Sequence, residues 1–109
     1  MRVRVSGKQV QIGETLPAGV RARLEEAVAK HFDGGAEAKV VFSHDGPFYR
    51  ADCSLHLDSN TVLTADGEGP DAHRAFDAAF LKIETQLRRY KRKLKNHHAK
   101  SRARPRTDA

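Results

Sequence analysis

Residues 72–97, AHRAFDAAFLKIETQLRRYKRKLKNH, lie in the longest stretch of the chain that contains neither glycine nor proline. Their apolar side chains recur at intervals of three and four, the spacing of one face of an α-helix. That stripe consists of Ala72, Phe76, Ala79, Ile83, Leu87, Tyr90 and Leu94. Asp71, directly before it, is a favourable N-cap residue. The pattern predicts one helix from residue 72 to about residue 97, roughly 40 Å long at about 1.5 Å per residue.

Three strands are predicted in the segment before this helix. Apolar and polar residues alternate over residues 38–42, 49–57 and 61–65, and turn-forming residues separate these runs at 44–47 and 58–60. Residues 66–70 are predicted to form a loop. Since the three runs follow one another closely, an antiparallel meander is the favoured arrangement.

A strand and a helix are predicted at the N-terminus. Val3 and Val5 alternate with arginines, as in a half-buried strand. An apolar residue at every fourth position then predicts a helix over residues 15–32, capped by Thr15 and with Pro17 in its first turn, where a missing N–H is harmless. The predicted fold class is therefore α+β in the order β-α-β-β-β-α. Both helices are expected to pack on one face of a four-stranded sheet whose first two strands are parallel.

The composition fits one small soluble domain. The chain has 109 residues and no apolar run long enough to span a membrane. Cys53 is its single cysteine, so an internal disulfide is impossible and a cytoplasmic location is expected. From Lys82 onward there are eleven Lys and Arg residues against two acids, whereas the preceding 81 residues carry nine against twelve. One basic end on a nearly neutral body indicates a polyanionic partner.

The cations of the last helix are the candidate RNA-binding residues. At 100° per residue most of them fall away from the apolar stripe, where they suit a phosphate backbone. A membrane surface fits less well, because the apolar stripe is needed for the core. A basic helix that only improves solubility is the remaining alternative. The candidates on the last helix are Lys82, Arg88, Arg89, Lys91, Arg92, Lys93, Lys95 and Arg74. Two further candidates, Arg2 and Arg4, lie on the first strand.

Catalysis, metals and cofactors find little support in the sequence. Asp52 and His56 share one strand face, with His44 nearby in the chain, and such a pair could serve acid–base chemistry. No nucleophile motif or phosphate loop accompanies them. Cys53 falls in the apolar register of its strand and is expected in the core. The pair at residues 97–98, two histidines, lacks further ligands at zinc spacing. We expect no cofactor, no bound metal and no small-molecule substrate.

Several segments, in order, resemble the bacterial hibernation-promoting factor and ribosome-associated inhibitor family. They are residues 5–10 (VSGKQV) with 12–14 (IGE), residues 51–56 (ADCSLH) and residues 82–95 (KIETQLRRYKRKLK). The last is the most specific, since it is similar to the family's Lys-Leu-Glu-x-Gln-Leu segment and the basic run after it. One departure lies in residues 71–77, where His73 stands at a position that is commonly tyrosine.

The resemblance implies a non-enzymatic protein that occupies the decoding region of the small ribosomal subunit. Its partners would be the rRNA of that subunit and whole ribosomes, and it would silence idle ribosomes under stress or in stationary phase. Residues 1–97 would form the ribosome-binding domain, expected to be monomeric in isolation, and residues 98–109 a disordered basic tail or linker. The chain could be a short form of the family or the N-terminal part of a long form. A general structured-RNA-binding module and a small hydrolase using Asp52 and His56 are the alternatives.

Overall fold

The computed structural model describes residues 1–32 and 34–103, with side chains as far as residue 92. Its elements follow the predicted order. They are β1 (Arg2–Gly7), α1 (Thr15–His31), β2 (Ala36–Asp45), β3 (Phe48–Leu57), β4 (Val62–Gly69) and α2 (Ala72–Ala103). The predicted fold class is confirmed.

The four strands form one mixed sheet in the spatial order β1-β2-β3-β4. Strand β1 pairs in parallel with β2, placing Val3 beside Ala38, while β2–β3 and β3–β4 are antiparallel. Gly46, with a φ of 63°, forms the tight turn between β2 and β3. One face of the sheet is apolar and packs against the helices. The opposite face carries the polar residues of each strand and faces solvent, and we call it the open face.

The core lies between the apolar face and the two helices. Val40 and Leu55 from the sheet, Leu24 from α1, and Ile83 and Leu87 from α2 have no exposed surface. Burying one such side chain contributes roughly 1.5–3 kcal/mol. Helix α1 contacts α2 beside it, so the two helices share one face of the sheet.

The ends of the elements differ from the sequence-based prediction in two places. Residues 66–69 continue strand β4 instead of forming the predicted loop. The predicted Thr15 cap is also wrong, because Thr15 is the first helical residue and Glu14 occupies the N-cap position without a side-chain cap hydrogen bond. The Asp71 cap is confirmed: its Oδ1 accepts a 2.8 Å hydrogen bond from the N–H of Arg74.

Helix α2 lies very close to strand β4, and two glycines of that strand make this possible. A Cβ on Gly67 would stand 2.4 Å from the amide nitrogen of Ala79 and 2.6 Å from the carbonyl oxygen of Ala75. A Cβ on Gly69 would stand 2.8 Å from the amide nitrogen of Ala75. Since all these neighbours are helix backbone, any larger side chain would push the helix away from the sheet.

The far end of the sheet is tied to α2 by Tyr90. Its hydroxyl lies 2.7 Å from the Ser59 hydroxyl in the β3–β4 turn, and its ring packs 5.9 Å from the Phe32 ring between centroids. The helix then continues to Ala103, beyond the end predicted near residue 97. Residues 104–109 of the predicted tail lie outside the described residues.

Candidate nucleic-acid interface

Three arginines form the exposed basic surface of α2. The apolar stripe is buried at Phe76, Ala79, Ile83 and Leu87. Successive residues turn by 100°, so positions between the stripe residues are directed outward. We call the resulting exposed set Arg88, Arg89 and Arg92 the outer arginine surface.

The positive charge of the outer arginine surface is not neutralised by the described part of the chain. Arg88 donates a 3.4 Å hydrogen bond to the neutral Thr85 hydroxyl. Among residues 1–32 and 34–92, no carboxylate forms an ion pair with any of the three guanidiniums. Guanidinium groups are planar multi-donor cations that match phosphate oxygens. The geometry therefore suits a phosphate backbone running along the helix.

Lys82 has a different role from the outer arginines. Its Nζ donates a 2.7 Å hydrogen bond to the backbone carbonyl of Asp66 in β4, and it lies 3.8 Å from the Asp66 carboxylate. Gln86, one turn later, donates a 2.8 Å bond to the carbonyl of Thr64. These two side chains therefore satisfy carbonyls at the edge of the sheet and fix the helix against it.

The flank of α2 next to α1 is also partly occupied. Nζ of Lys91 lies 3.5 Å from the carbonyl oxygen of Lys30 near the end of α1. His31, in the same place, lies 3.8 Å from the Glu84 carboxylate without a hydrogen bond. Burial lowers the pKa of His31, and nearby cations, including Lys30, Lys91 and Arg88, lower it further, while Glu84 opposes them. His31 is therefore expected to be neutral beside this basic surface.

The remaining candidates are dispersed. Arg74 is exposed at the start of α2, where its Nε lies 3.9 Å from the Asp71 carboxylate. Arg2 and Arg4 lie on the open face of the sheet, on the side of the molecule away from the helices, and Arg2 is 3.9 Å from Glu37. The side chains of Lys93 and Lys95 lie outside the described residues. The candidate set thus divides between two opposite sides of the molecule.

The sequence suggested that Arg50 adds positive charge to the open face, but it did not reveal the ion pairs that Arg50 forms there. Arg50 binds the Asp52 carboxylate at 3.1 Å and the Asp66 carboxylate at 2.5 Å. The hydrogen bond and charge of Asp52, with the charge of Asp66, raise the pKa of Arg50. The positive charge of Arg50 is therefore locally neutralised. No single-sequence signal reveals this, because the partners come together only through strand pairing.

The residues considered for catalysis do not converge. Asp52 binds Arg50, and His56 lies on the same open face. His44 pairs in register with Tyr49 and packs against its ring, with the ring centroids 4.5 Å apart and the planes tilted by 46°, on the opposite side of the sheet from Asp52. Cys53 is buried, as predicted, and burial raises its pKa to about 12. Within the described residues no cluster of His, Cys, Asp and Glu could hold a metal ion.

None of the described helices has the length and apolar character needed to cross a membrane.

Comparison with known proteins identifies the family. The profile of the family described as Sigma 54 modulation protein / S30EA ribosomal protein matches residues 3–95. The chain belongs to this family. The chain is 49% identical over 98 residues to a protein of Rhizobium meliloti named ribosome hibernation promotion factor, covering 90% of the chain and 52% of that relative. It is 30% identical over 97 residues to the ribosome hibernation promoting factor of Escherichia coli, covering 89% of the chain and 100% of that protein.

A solved structure supports the same assignment. The N-terminal domain of Protein Y from Thermus thermophilus superimposes with a TM-score of 0.74 at 27% identity, covering 83% of the chain and 99% of that domain. The resemblance to the hibernation-promoting factor family is thereby confirmed. The chain spans about half the length of two rhizobial relatives that it matches, 52% for the Rhizobium meliloti protein and 49% for the ribosome hibernation promotion factor of Bradyrhizobium diazoefficiens.

Proposed function

We propose that the chain binds the decoding region of the small ribosomal subunit, between its head and body, and prevents translation there. The observation that carries this proposal is the outer arginine surface, whose three guanidiniums lack a carboxylate partner among the described residues. Backbone phosphates would supply the missing anions, and each phosphate bound in this way would release condensed counterions.

The mechanism is steric and needs no turnover. A rigid two-layer domain placed in the decoding region would overlap the sites of messenger RNA and transfer RNA. Relatives named ribosome hibernation promotion factor support this assignment. The protein would act in the cytoplasm on small subunits and whole ribosomes, and would preserve idle ribosomes under stress or in stationary phase.

The test is co-sedimentation with purified small subunits at increasing salt. Wild-type protein is expected to bind with an affinity that falls linearly on a plot of log K against log salt concentration. Replacing Arg88, Arg89 and Arg92 by Ala should weaken binding and flatten that slope by roughly one unit for every phosphate that is no longer neutralised. The substitutions lie on exposed positions, so the thermal unfolding midpoint should change little.

A matched control removes the same charge elsewhere. Arg92→Ala is compared with Arg21→Ala, since Arg21 is exposed on α1 and its guanidinium donates a 3.4 Å bond to the carbonyl of Val3. The control should keep nearly the wild-type salt slope. Equal slopes for wild type and the triple variant would contradict the proposed interface. Equally tight binding to free RNA duplex would instead favour a general RNA-binding module.

A further inference from the structure

The open face of the sheet has a basic half and an acidic half. On β1 and the first half of β2 its charged side chains are three cations and one carboxylate, namely Arg2, Arg4, Lys39 and Glu37. On the last residue of β2, on β3 and on β4 the excess is reversed, with one cation against four carboxylates, namely Arg50, Asp45, Asp52, Asp66 and Glu68. The face is thus strongly polarised across its width.

Two cations stand side by side in the basic half. Arg4 and Lys39 are register partners in the parallel β1–β2 pair. Both side chains are exposed. Arg4 lies between the inward-facing Val3 and Val5, and Lys39 lies between the buried Ala38 and Val40. Neighbouring strands lie about 4.8 Å apart, so the two side chains share the same small area. Like charges placed opposite each other on a sheet are destabilising.

This repulsion is not relieved within the described part of the protein. Glu37 pairs with Arg2 at 3.9 Å, and Asp52, diagonal to Lys39, is engaged by Arg50 at 3.1 Å. No ion pair reaches Arg4 or Lys39 from residues 1–32 and 34–92. An external anion would therefore relieve the repulsion and accept two charge-assisted hydrogen bonds at once.

Neutral donors extend the cation pair across the sheet. Ser54 is the register partner of Lys39, and Thr64 is the register partner of Ser54, so two hydroxyls continue the same transverse row. Lys39, both hydroxyl residues and His56 line a shallow depression of about 590 Å³. A row of two cations followed by hydroxyls suits a phosphate with its attached sugar, since hydroxyls both donate to and accept from such groups.

The acidic half restricts where a polyanion could lie. Asp52 and Asp66 border the other side of the depression and are held by Arg50. The pKa of Glu68, in the next row, is raised by hydrogen bonding with Asp45 and by the negative charge of Asp45. Crowded carboxylates of this kind repel phosphates. A nucleic-acid backbone would consequently follow β1 and the first half of β2.

We propose that Arg4 and Lys39, with the Ser54 hydroxyl, form a second site for RNA backbone phosphates, on the opposite side of the molecule from the outer arginine surface. The open face and the helices lie on opposite sides of the sheet, so one RNA segment cannot reach both sites without wrapping around the domain. The protein therefore bridges two RNA segments. This inference rests on the proposed function for the first RNA-binding surface, on α2.

The experiment measures bridging directly. Two RNA duplexes of about 16 base pairs, one carrying a donor and the other an acceptor fluorophore, are mixed with limiting protein, and energy transfer is recorded. In parallel, binding of one labelled duplex is titrated at several salt concentrations. Wild-type protein should give energy transfer. Arg4→Gln/Lys39→Gln should lose it and still bind a single duplex through α2 with nearly the wild-type salt slope.

The matched control is Lys8→Gln/Arg21→Gln, which removes the same net charge. Lys8 is exposed in the segment between β1 and α1, and Arg21 lies on α1, so this variant should retain energy transfer. Arg88→Ala/Arg89→Ala/Arg92→Ala should lose energy transfer by removing the other site. Far-ultraviolet circular dichroism verifies that each variant is folded.

The possible failures are distinguishable. Energy transfer that persists in Arg4→Gln/Lys39→Gln, or that is lost equally in the matched control, would overturn the second site. Wild-type binding of one duplex without energy transfer would also overturn it while leaving the α2 interface intact. No wild-type binding to either duplexes or small subunits would remove the proposed function itself.

Discussion

Replacing Gly67 by Ala tests the close approach between α2 and β4. The new Cβ would lie 2.4 Å from the Ala79 amide nitrogen and 2.6 Å from the Ala75 carbonyl oxygen. Ordinary van der Waals separation begins near 3.4 Å, so the helix must retreat by about 1 Å. A gap of that size forfeits about a quarter to a half of the dispersion energy of the atoms that it separates.

The expected cost follows from two opposing effects. Overpacking of this kind costs about 1–3 kcal/mol, and the retreat of a whole helix places it at the upper end. The substitution also restricts the unfolded chain, which returns about 0.4–1 kcal/mol. A net loss of about 2 kcal/mol in the free energy of unfolding is expected. For a domain of this size it lowers the thermal midpoint by roughly 8–16 °C.

Urea unfolding monitored by far-ultraviolet circular dichroism provides the assay, with Gly19→Ala as the matched control. Gly19 lies within α1, and a Cβ there meets nothing within 4 Å. The control should raise the free energy of unfolding by about 0.5–1 kcal/mol, because alanine favours the helix. A Gly67→Ala protein that unfolds at the wild-type urea concentration, or that gains stability like the control, would refute the explanation based on close approach.

Three further perturbations address the core and the interface between the helices. Leu87→Ala, at a fully buried position, should lower the free energy of unfolding by about 2–5 kcal/mol. Leu81→Ala, at a 63% exposed position, should change it by less than about 0.5 kcal/mol. Similar decreases in the free energy of unfolding for the two variants, measured with urea, would contradict the assignment of the buried stripe. The lowered pKa of His31 means that the unfolded chain takes up its proton more readily, so its contribution to stability is fully present above about pH 6.5 and is lost as pH falls through the folded pKa. His31→Gln should remove that pH dependence and His73→Gln, at an exposed site, should not; unfolding curves at several pH values decide. With its pKa raised to about 12, the buried Cys53 thiol should react with Ellman's reagent at neutral pH only after unfolding, and rapid reaction in the native protein would show that the thiol is accessible.

Local periodicity was sufficient to predict the element order and the buried stripe of α2. The strand at residues 66–69 was missed because Gly67 and Gly69 are breakers by local chemistry. Their actual role depends on the backbone of α2 passing over them, which no short sequence window contains. The Thr15 prediction failed by one position, since Glu14 precedes the first helical residue without a side-chain cap hydrogen bond.

The candidate site was only partly predictable, because some of its contacts join residues that are distant in the chain. Helical rotation alone placed Arg89 and Arg92 on the exposed side of α2, as the structure has them. It could not show that Lys82 donates to a carbonyl of β4, because that partner is 16 residues away in the chain. Lys39 was overlooked because a single charge on a strand is usually a solvated residue. The parallel register with β1 is what places it beside Arg4.

The hydrogen bonds from Lys82 and Gln86 to strand β4 also bear on self-assembly. An edge strand with free carbonyl and amide groups can accept a strand from another molecule. On β4 the carbonyls of Asp66 and Thr64 are already occupied. A sheet that can be extended at one edge stops after a single addition, whereas growth into a filament needs an acceptor at both ends. The two side chains that hold α2 against β4 would therefore also prevent growth into a filament through the β4 edge, even where the protein is abundant.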